Sequence, residues 1–376
     1  MPYNRPIVRV AIVARTIAPV DRGGIQNHIR YIGEDVSALG VDITLYLHRA
    51  VYPEDLPFKI VQVRTVSLPR LTAGLYVSLA LSAGKALQGT DFDIYHGHSM
   101  YGWGIGLNDL HPHVITCHGT QLNEYRATRA ETRDPNHRIT DAITYRMERH
   151  AARKADYVIV DCELNRKDVI EQYGIDPEIV RIIPPCIRNR RFKVAAPDGP
   201  NIIYMGRLSQ RKGIKYLLKA MPEVLERVPD ARLLVGGSGE RMAELKALTK
   251  KMGLGDSVEF LGFIPEEELP DFYARGMVFC MPSVYEGFGM VMLEAMASSL
   301  PVVAFRTGGV PEVIEDGVTG YQADQATLGD RLARVLEDPK GAAEMGARGR
   351  KLVWDGYTTE HMADLTLAVW EEAIRR

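Results

Sequence analysis

The stretch MPSVYEGFGMVMLEAMASSLPVVAF, residues 281–305, predicts a buried strand, a glycine-rich turn, a helix and a second strand in direct succession. A helix that connects two strands in this way is the usual crossover of a parallel sheet. Glu286 stands in the turn, and Glu294 is expected about one turn inside the helix. A hydrophobic helix needs neither carboxylate for packing, so the pattern indicates a site at the carboxyl end of the first strand.

Two glycines, Gly287 and Gly289, flank Phe288 in the turn. Glycine leaves backbone N–H groups accessible, so the turn could donate to a polyhydroxyl ring that also contacts one carboxylate. The second carboxylate could bind a diol such as a ribose. Acidic residues also favour first helical turns because they complement the helix dipole. That explanation accounts for Glu294 and leaves the glycine pair unexplained.

Strand-like and helix-like segments alternate on both sides of this stretch. Strand candidates such as IVRVAIV and VDITLYL come early in the chain, and NIIYMG and ARLLVGG come later. Between the two series, residues 184–201 carry four prolines and a basic cluster, which is typical of a linker. We therefore predict an α/β fold with two doubly wound domains. The predicted parts are a first domain at 1–186, a linker at 187–200, a second domain at 201–356 and a final helical segment at 357–376.

Two basic side chains follow the first strand candidate of the second domain. Arg207 and Lys212 lie five residues apart in GRLSQRKG. Ligands bind at the carboxyl ends of parallel strands and between domains, where a guanidinium and an ammonium could hold one diphosphate. A solvated basic loop without a ligand is the alternative, and an isolated basic pair would favour it.

The first domain has two comparable signals. In DRGGIQNHI, Gly23 and Gly24 join a strand to a helix, whose N-terminus could donate backbone N–H groups to a phosphate. The motif is not GxGxxG, and a tight turn explains the glycines equally well. In VITCHGT, His118 ends another strand and could hydrogen-bond a sugar hydroxyl or an acceptor. A capping or satisfied histidine is the alternative there.

The segment DFDIYHGHSM contains two patterns that resemble metal sites. Asp91 and Asp93 precede a strand, at the sheet edge usually away from ligands, so we reject them as metal ligands. His96 and His98 have no evident third ligand in the sequence, and we predict no metal site. His98 remains a candidate for the acceptor region.

The composition of the chain limits the functions it can have and indicates its cellular environment. Its 376 residues carry a net charge of −2, so no global basic field exists to hold a nucleic acid. None of the four cysteines has a metal-binding spacing, and Cys117 and Cys280 stand in apolar runs, which predicts buried thiols and a reducing, cytoplasmic setting. No signal peptide is evident. The apolar residues 71–89 are interrupted by Lys85, so we expect a buried helix rather than a membrane span.

Several motifs come in the order of a known enzyme family: GGIQNH, CHGT, GRLSQRKG, VGGSGE, FLGFIPEEEL, PSVYEGFGMVMLEAMA and TGGVPEVIEDGVTG. The set resembles the GT-B glycosyltransferases of family 4, and the resemblance covers nearly the whole chain. The glycine pair followed by Ile-Gln is also similar to phosphatidylinositol mannosyltransferases. The resemblance implies a retaining hexosyltransferase that uses a UDP- or GDP-linked sugar. It implies two Rossmann-like domains facing across a cleft, with a C-terminal helix that returns to the first domain.

The roles of individual residues also follow from the resemblance. Arg207 and Lys212 would bind the donor diphosphate together with the backbone of the glycine pair Gly23 and Gly24. No catalytic metal or other cofactor is implied, because the cationic pair replaces it. The donor sugar would be held by a set of residues from both domains: Glu286, Gly287, Phe288, Gly289 and His118.

The remaining parts of the donor have candidates of their own. Glu294 would bind the ribose hydroxyls, and the loop with Gly262 and Phe263 would meet the base. Gln26 and His98 are the candidates for acceptor contacts. Retention would proceed by same-face attack, with a donor phosphate oxygen accepting the acceptor proton, or by double displacement through a protein carboxylate. The sequence leaves both schemes open.

The acceptor is open as well, and could be a sugar, a polyol or a lipid-linked hydroxyl. Residues 123–154 are dense in charge and could lie on an anionic membrane, which would place the enzyme peripherally on its inner face. The mixed sign of these charges favours a solvated helix surface.

Two other functions suit the same architecture. A sugar-nucleotide epimerase would also use carboxylates and a histidine, and would form an epimer without an acceptor. A non-catalytic sugar-nucleotide-binding subunit would not need the intact set of Arg207, Lys212, Glu286 and Glu294.

Overall fold

The computed structural model describes residues 8–21, 23–49, 52, 55–66, 72–128 and 135–376. Three predictions therefore extend outside the described residues. They concern the start of the chain at residues 1–7, the first residue of the apolar stretch at Leu71, and residues 129–134 of the charged stretch.

The chain forms two compact units, which we call the first unit and the second unit. The first unit comprises Met1–Pro185 and Thr359–Arg376, and the second comprises Cys186–Thr358. The residues that we predicted as a linker, 187–200, belong to the second unit. The N–H of Ala195, for example, donates to the carbonyl of Ser298 over 2.7 Å.

The first unit contains a seven-stranded parallel sheet with the order β3-β2-β1-β4-β5-β6-β7. Its strands are β1 Arg9–Val13, β2 Asp42–Leu47, β3 Lys59–Gln62, β4 Ile94–His98, β5 His113–Cys117, β6 Tyr157–Val160 and β7 Val180–Ile182. Its described helices are α1 Gly24–Ala38, α2 Thr72–Leu87, α3 Trp103–Leu107, α4 Gln121–Thr128, α5 Pro135–Lys154, α6 Glu163–Asp168 and α14 Thr359–Arg375. The central strands β4 and β5 are buried along their whole length, which explains why they read as short apolar runs.

The second unit contains a six-stranded parallel sheet with the order β10-β9-β8-β11-β12-β13. Its strands are β8 Asn201–Met205, β9 Arg232–Gly236, β10 Val258–Gly262, β11 Val278–Met281, β12 Val302–Phe305 and β13 Gly320–Ala323. Its helices are α7 Ile214–Arg227, α8 Met242–Lys251, α9 Leu269–Ala274, α10 Met290–Ala297, α11 Val310–Val313, α12 Leu328–Glu337 and α13 Pro339–Gly356. With two parallel sheets of this kind, the predicted α/β class with two doubly wound halves is confirmed.

Helix α7 continues through a proline. Proline inside a helical pattern is expected to kink or restart the helix, because it removes one backbone hydrogen bond. Here Pro222 is exposed and α7 runs unbroken from Ile214 to Arg227. Met221 and Val224, on either side of Pro222, are buried in the core of the second unit. Packing on both sides of the proline therefore outweighs its local preference.

The C-terminal helix α14 is part of the first unit. It packs against α1 and against the central strands β4 and β5. Trp370, whose exposed fraction is 0%, anchors this contact, and its ring meets that of His96 edge-on with 5.6 Å between centroids. The helix therefore completes the core beneath the residues that end β4.

We expect Trp370→Ala to lower the free energy of unfolding of the first unit by about 3–5 kcal/mol, since it removes a fully buried aromatic side chain. Ile374→Ala is the control on the same helix, because Ile374 is 41% exposed and its removal should cost less than about 1 kcal/mol. Urea denaturation followed by far-UV circular dichroism measures both values. Equal losses for the two variants would contradict the anchoring role of Trp370.

Candidate functional site

The second sheet has a topological switch point between β8 and β11. From β8 the chain builds the sheet outward through β9 and β10, and from β11 it builds in the other direction through β12 and β13. The loops that follow β8 and β11 therefore leave the sheet side by side, which is where open α/β sheets bind ligands. We call residues 206–213 the basic loop and residues 282–289 the glutamate loop.

An ion pair joins the basic loop to the glutamate loop. The ammonium of Lys212 donates to Oε2 of Glu286, and the side chains are 17% and 12% exposed. The hydroxyl of Ser283 donates to the same oxygen over 3.3 Å. The backbone N–H of Val284 also donates to the carbonyl of Arg211 over 2.8 Å. The structure thus brings together two residues that the sequence separates by the whole of β9 and β10.

The charges around Glu286 keep its carboxylate ionised. Burial alone would raise the pKa of Glu286, but the ammonium of Lys212 and the guanidinium of Arg211 outweigh it and lower the pKa below its usual value. Arg211 was not among the predicted site residues, because the sequence does not show which basic side chain of the loop faces β11. Two cations of the basic loop, Arg211 and Lys212, therefore accompany this carboxylate.

Close backbone approach is what allows these loops to meet. A Cβ atom at Gly213 would lie 1.8 Å from the carbonyl oxygen of Pro282, and the residue has a φ of +70°. A Cβ atom at Gly308, in the loop after β12, would lie 2.5 Å from the carbonyl oxygen of Glu286, with a φ of +54°. Only glycine fits both positions without strain.

The glycine-rich turn is anchored from inside. The side chain of Phe288 is 4% exposed, and its ring lies 6.1 Å from that of Tyr357, so the side chain is part of the core. Gly287 lies in the turn, and Gly289 precedes the first residue of α10. What Phe288 can offer a ligand is therefore its backbone.

Glu294 lies inside α10 with 7% of the residue exposed. The hydroxyl of Tyr273 donates to its Oε2 over 2.8 Å. Burial raises the pKa of Glu294, while attraction to Arg191 opposes the shift. No described side chain donates to Oε1 of Glu294. A buried carboxylate with one oxygen left over is suited to accept a hydrogen bond from a ligand hydroxyl.

The other predicted residues of the second unit lie on the same sheet edge. Arg207 is exposed at the end of β8, and the hydroxyl of Tyr204 donates to its carbonyl over 3.2 Å. Gly262 ends β10 and is followed by Phe263, which is 51% exposed. An exposed aromatic ring at a strand end is a suitable surface for a planar base.

The first sheet has its own switch point between β1 and β4. Gly23 caps helix α1, which begins at Gly24, and no side chain caps this end. The first N–H groups of the helix therefore have no intrahelical acceptor. The side chain of Gln26 folds back toward the cap. Its oxygen lies 2.6 Å from the position that a Cβ atom at Gly23 would take.

Histidines gather beside this switch point. His28 comes from α1, His96 and His98 come from β4, and His118 follows β5; we call them the histidine cluster. Nδ1 of His118 lies 3.1 Å from Oδ1 of Asp161, and Nε2 of His118 lies 3.2 Å from Nδ1 of His98. The ring of His28 meets that of His118 edge-on with 4.9 Å between centroids.

Burial makes most of the histidine cluster neutral. It lowers the pKa of His28 and His98 well below the usual value, and it lowers the pKa of His96 to about 3. Nε2 of His96 bonds the hydroxyl of Thr116 over 2.8 Å, which places this ring behind the others. Neutral imidazoles keep a lone pair that can accept a proton or bind a metal.

The sequence showed no third ligand beside His96 and His98, but folding brings two further histidines, His28 and His118, close to His98. The ring nitrogens of His28, His98 and His118 lie within 4.8 Å of one another. The sequence could not reveal this, because His28 lies in α1, His98 ends β4 and His118 follows β5. Asp91 and Asp93, by contrast, hold Arg9 at the other edge of the sheet. Asp91 forms an ion pair with its guanidinium at 2.7 Å, and Asp93 accepts its backbone N–H at 2.7 Å.

A buried glutamate supports the segment after His118. Glu148 of α5 is fully buried and accepts hydrogen bonds from the hydroxyl of Tyr173 and from the backbone N–H of Gln121. Burial raises its pKa to about 7. The sequence analysis missed this residue, because nothing in a charged helix marks which carboxylate faces inward.

Two family models match the chain. One, described as glycosyl transferases group 1, matches residues 187–352, and the other, described as glycosyltransferase family 4, matches residues 22–191. Together they match residues 22–352, which include most of both units.

Individual proteins with similar sequences and structures carry names of the same kind. An uncharacterised glycosyltransferase of Methanocaldococcus jannaschii is 27% identical over 98% of this chain and 99% of its own. A GDP-mannose-dependent α-(1-6)-phosphatidylinositol monomannoside mannosyltransferase of Mycolicibacterium smegmatis is 36% identical over 49% of this chain and 51% of its own. The crystal structure of HepE from Anabaena in complex with UDP-glucose has a TM-score of 0.74 at 18% identity, covering 97% of this chain and 99% of HepE. That structural likeness shows the fold.

None of the helices in the described ranges combines the length and the hydropathy that crossing a bilayer requires. The prediction that the apolar stretch near residue 80 forms a buried helix agrees with this, since α2 lies in the first unit and buries Leu79, Ala80 and Ala83.

The raised pKa of Glu148 predicts a pH dependence of stability. Between about pH 4.5 and 7 the folded protein keeps a proton on Glu148 that the unfolded chain has lost, so the free energy of unfolding should fall as pH rises, by about 3 kcal/mol in all. Glu148→Gln should lack this component, whereas Glu360→Gln, which changes an exposed carboxylate, should keep it. Urea denaturation across this pH range measures the three profiles. Parallel profiles for the wild type and Glu148→Gln would refute the assignment.

Proposed function

The chain belongs to the GT-B glycosyltransferases of family 4, and on this premise we propose that it transfers a hexosyl unit from a nucleotide-diphosphate sugar to a hydroxyl acceptor with retention of configuration. The observation that carries the proposal is the Lys212–Glu286 ion pair between the two loops at the switch point of the second sheet. It fixes a cation and an ionised carboxylate side by side where a parallel sheet binds its ligand.

The diphosphate of the donor is proposed to bind the basic loop. Arg207 and Lys212 are the two contacts, and Arg211 adds a third positive charge nearby. As the glycosidic bond breaks, negative charge develops on the leaving diphosphate, and fixed cations stabilise it. A divalent metal is then unnecessary for the transfer. We propose that the N–H of Gly24, at the start of α1 in the first unit, can donate to a phosphate.

The donor sugar and the nucleoside are proposed to bind the remaining residues of the second unit. Glu286 and the backbone of the glycine-rich turn would accept and donate hydrogen bonds to the sugar hydroxyls. Glu294 would bind the ribose through Oε1, since Tyr273 already occupies Oε2. Gly262 and the exposed ring of Phe263 would meet the base. His118 of the first unit is proposed to hydrogen-bond a sugar hydroxyl.

Two routes to retention are compatible with these residues. In same-face attack, a phosphate oxygen of the donor accepts the proton of the acceptor hydroxyl. In double displacement, a carboxylate attacks the anomeric carbon first, and the ionised carboxylate of Glu286 would be the nucleophile. The pairing of Glu286 with Lys212 and Ser283 lowers its nucleophilicity, which favours the first route.

The acceptor is proposed to be the hydroxyl of a sugar, a polyol or a lipid-linked glycan. One relative is named for a phosphatidylinositol monomannoside, which supports the lipid-linked class. Helix α5 carries basic side chains, including Arg146, Arg149 and Arg153, and we propose it as the surface for peripheral contact with an anionic membrane. Gln26 and His98 are the proposed acceptor contacts in the first unit.

Replacing the central cation tests the diphosphate role. We expect Lys212→Ala to reduce kcat for sugar transfer by at least about 100-fold, which is the usual cost of removing one group that stabilises transition-state charge. Lys215→Ala, which changes an exposed lysine on the adjoining helix, should leave kcat unchanged. Circular dichroism checks that both variants are folded. Full turnover by a folded Lys212→Ala variant would remove the diphosphate role.

Product analysis tests the reaction class. With UDP- and GDP-linked hexoses and an acceptor panel that includes vesicle-borne phosphoinositides, we expect a glycoside whose anomeric configuration, read by ¹H NMR, equals that of the donor. Release of an epimer without acceptor would instead identify an epimerase. Donor binding without hydrolysis or transfer, with every acceptor of the panel, would identify a non-catalytic binding subunit.

A further inference from the structure

The histidine cluster has the geometry of a metal site, which goes beyond the proposed transfer reaction. One ring nitrogen each of His28, His98 and His118 lies within 4.8 Å of the other two, and the closest resolved pair, Nδ1 of His98 and Nε2 of His118, is 3.2 Å apart. Zinc binds imidazole nitrogen at about 2.0–2.1 Å in a tetrahedron, so two such nitrogens lie about 3.4 Å apart. We propose that these three histidines bind a divalent transition metal of the zinc type.

His28 is the strongest sign that a ligand is missing. Its side chain is buried, with 2% of the residue exposed, and neither of its ring nitrogens has a hydrogen-bond partner among the described residues. Buried polar atoms are almost always paired, because leaving one unpaired costs free energy. A metal ion bound to one ring nitrogen of His28 would take up its lone pair and reduce that cost.

Asp161 supplies the support that metal-binding histidines usually have. Its carboxylate lies 3.1 and 3.2 Å from Nδ1 of His118, so Nδ1–H donates to Asp161 and Nε2 keeps its lone pair. A carboxylate behind a histidine fixes the tautomer and the ring orientation for metal binding. Without metal, Nδ1–H of His98 donates to Nε2 of His118. With metal, both nitrogens would coordinate it, and the proton of His98 would reside on Nε2.

The donor set selects the class of metal. Three imidazoles suit zinc and its neighbours in the first transition row, whereas Mg²⁺ and Ca²⁺ require oxygen ligands. Asp161 bonds Nδ1 of His118, the ring nitrogen that does not bind the metal, so it is not counted among the ligands. His96 stacks on His98 with 4.7 Å between ring centroids and bonds Thr116, so it supports the site from behind. Three protein ligands leave a fourth position for water or a ligand atom.

Metal occupancy would compete with the transfer reaction. Nε2 of His118 cannot coordinate a metal and contact a donor sugar at the same time, so we expect Zn²⁺ to inhibit transfer. This consequence rests on the role of His118 in the proposed function, whereas the metal site itself does not. Binding of the metal alone is therefore the primary test.

The test uses the untagged full chain, stripped with a chelator and titrated with Zn²⁺ by isothermal titration calorimetry. We expect one high-affinity Zn²⁺ per chain. Asp161→Asn should weaken binding by about 10- to 100-fold, the usual cost of losing the group behind a metal ligand, and His28→Ala should weaken it at least as much. His361→Ala changes an exposed histidine on α14 and should bind as the wild type does. Loading with Co²⁺ should give the visible bands of a tetrahedral complex in the wild type.

Circular dichroism and a thermal melt show whether each variant is folded, and the conservative Asp161→Asn keeps the test valid if His28→Ala does not fold. Absence of Zn²⁺ binding by the wild type would overturn the proposal. So would equal affinity in the wild type and a folded His28→Ala variant, or a loss of affinity in His361→Ala. Inhibition of transfer is measured separately: Zn²⁺ that binds at His28 without inhibiting would count against the role of His118, and the metal site would stand.

Discussion

The contact between Lys212 and Glu286 organises the second unit, because it joins the loops that follow the adjacent parallel strands β8 and β11. Burying the carboxylate of Glu286 alone would be costly, and the nearby ammonium of Lys212 offsets that cost. Glycines at positions 213 and 308 let the backbones of these loops approach more closely than a residue with a Cβ atom would allow. The glycines around Phe288 thus belong to a larger set that brings three loops to one point of the sheet edge.

The first unit applies the same principle with different chemistry. In its sheet, too, the order in which the chain adds strands reverses at one point, between β1 and β4. The N-terminus of α1 and the histidine cluster lie beside this point. Burial keeps the rings of His28 and His98 neutral, while Asp161 fixes the ring of His118. The second unit therefore presents fixed charges, and the first presents neutral nitrogen lone pairs and backbone N–H groups. These are different binding surfaces, which is what a transferase with two dissimilar substrates requires.

The sequence predicted the fold because its signals are local. Short apolar runs ending in glycine mark buried parallel strands, and their alternation with helices determines the α/β class. Lys212, Glu286 and Glu294 could be singled out for the same reason, since each follows directly from a strand end or a glycine turn. His28 and Glu148 could not, because their importance comes from the direction in which a helix faces. A residue's burial and its partners from distant strands are properties of the folded chain.

The most direct test of the account compares the binding of a nucleoside diphosphate with that of the free nucleoside. The panel is UDP against uridine and GDP against guanosine, measured by isothermal titration calorimetry on the wild type and on Lys212→Met. If Lys212 binds the diphosphate, the variant should lose the additional affinity that the two phosphate groups give the nucleotide. Its affinity for the free nucleoside should equal that of the wild type. An unchanged advantage of the diphosphate in the folded variant would show that the phosphates bind elsewhere.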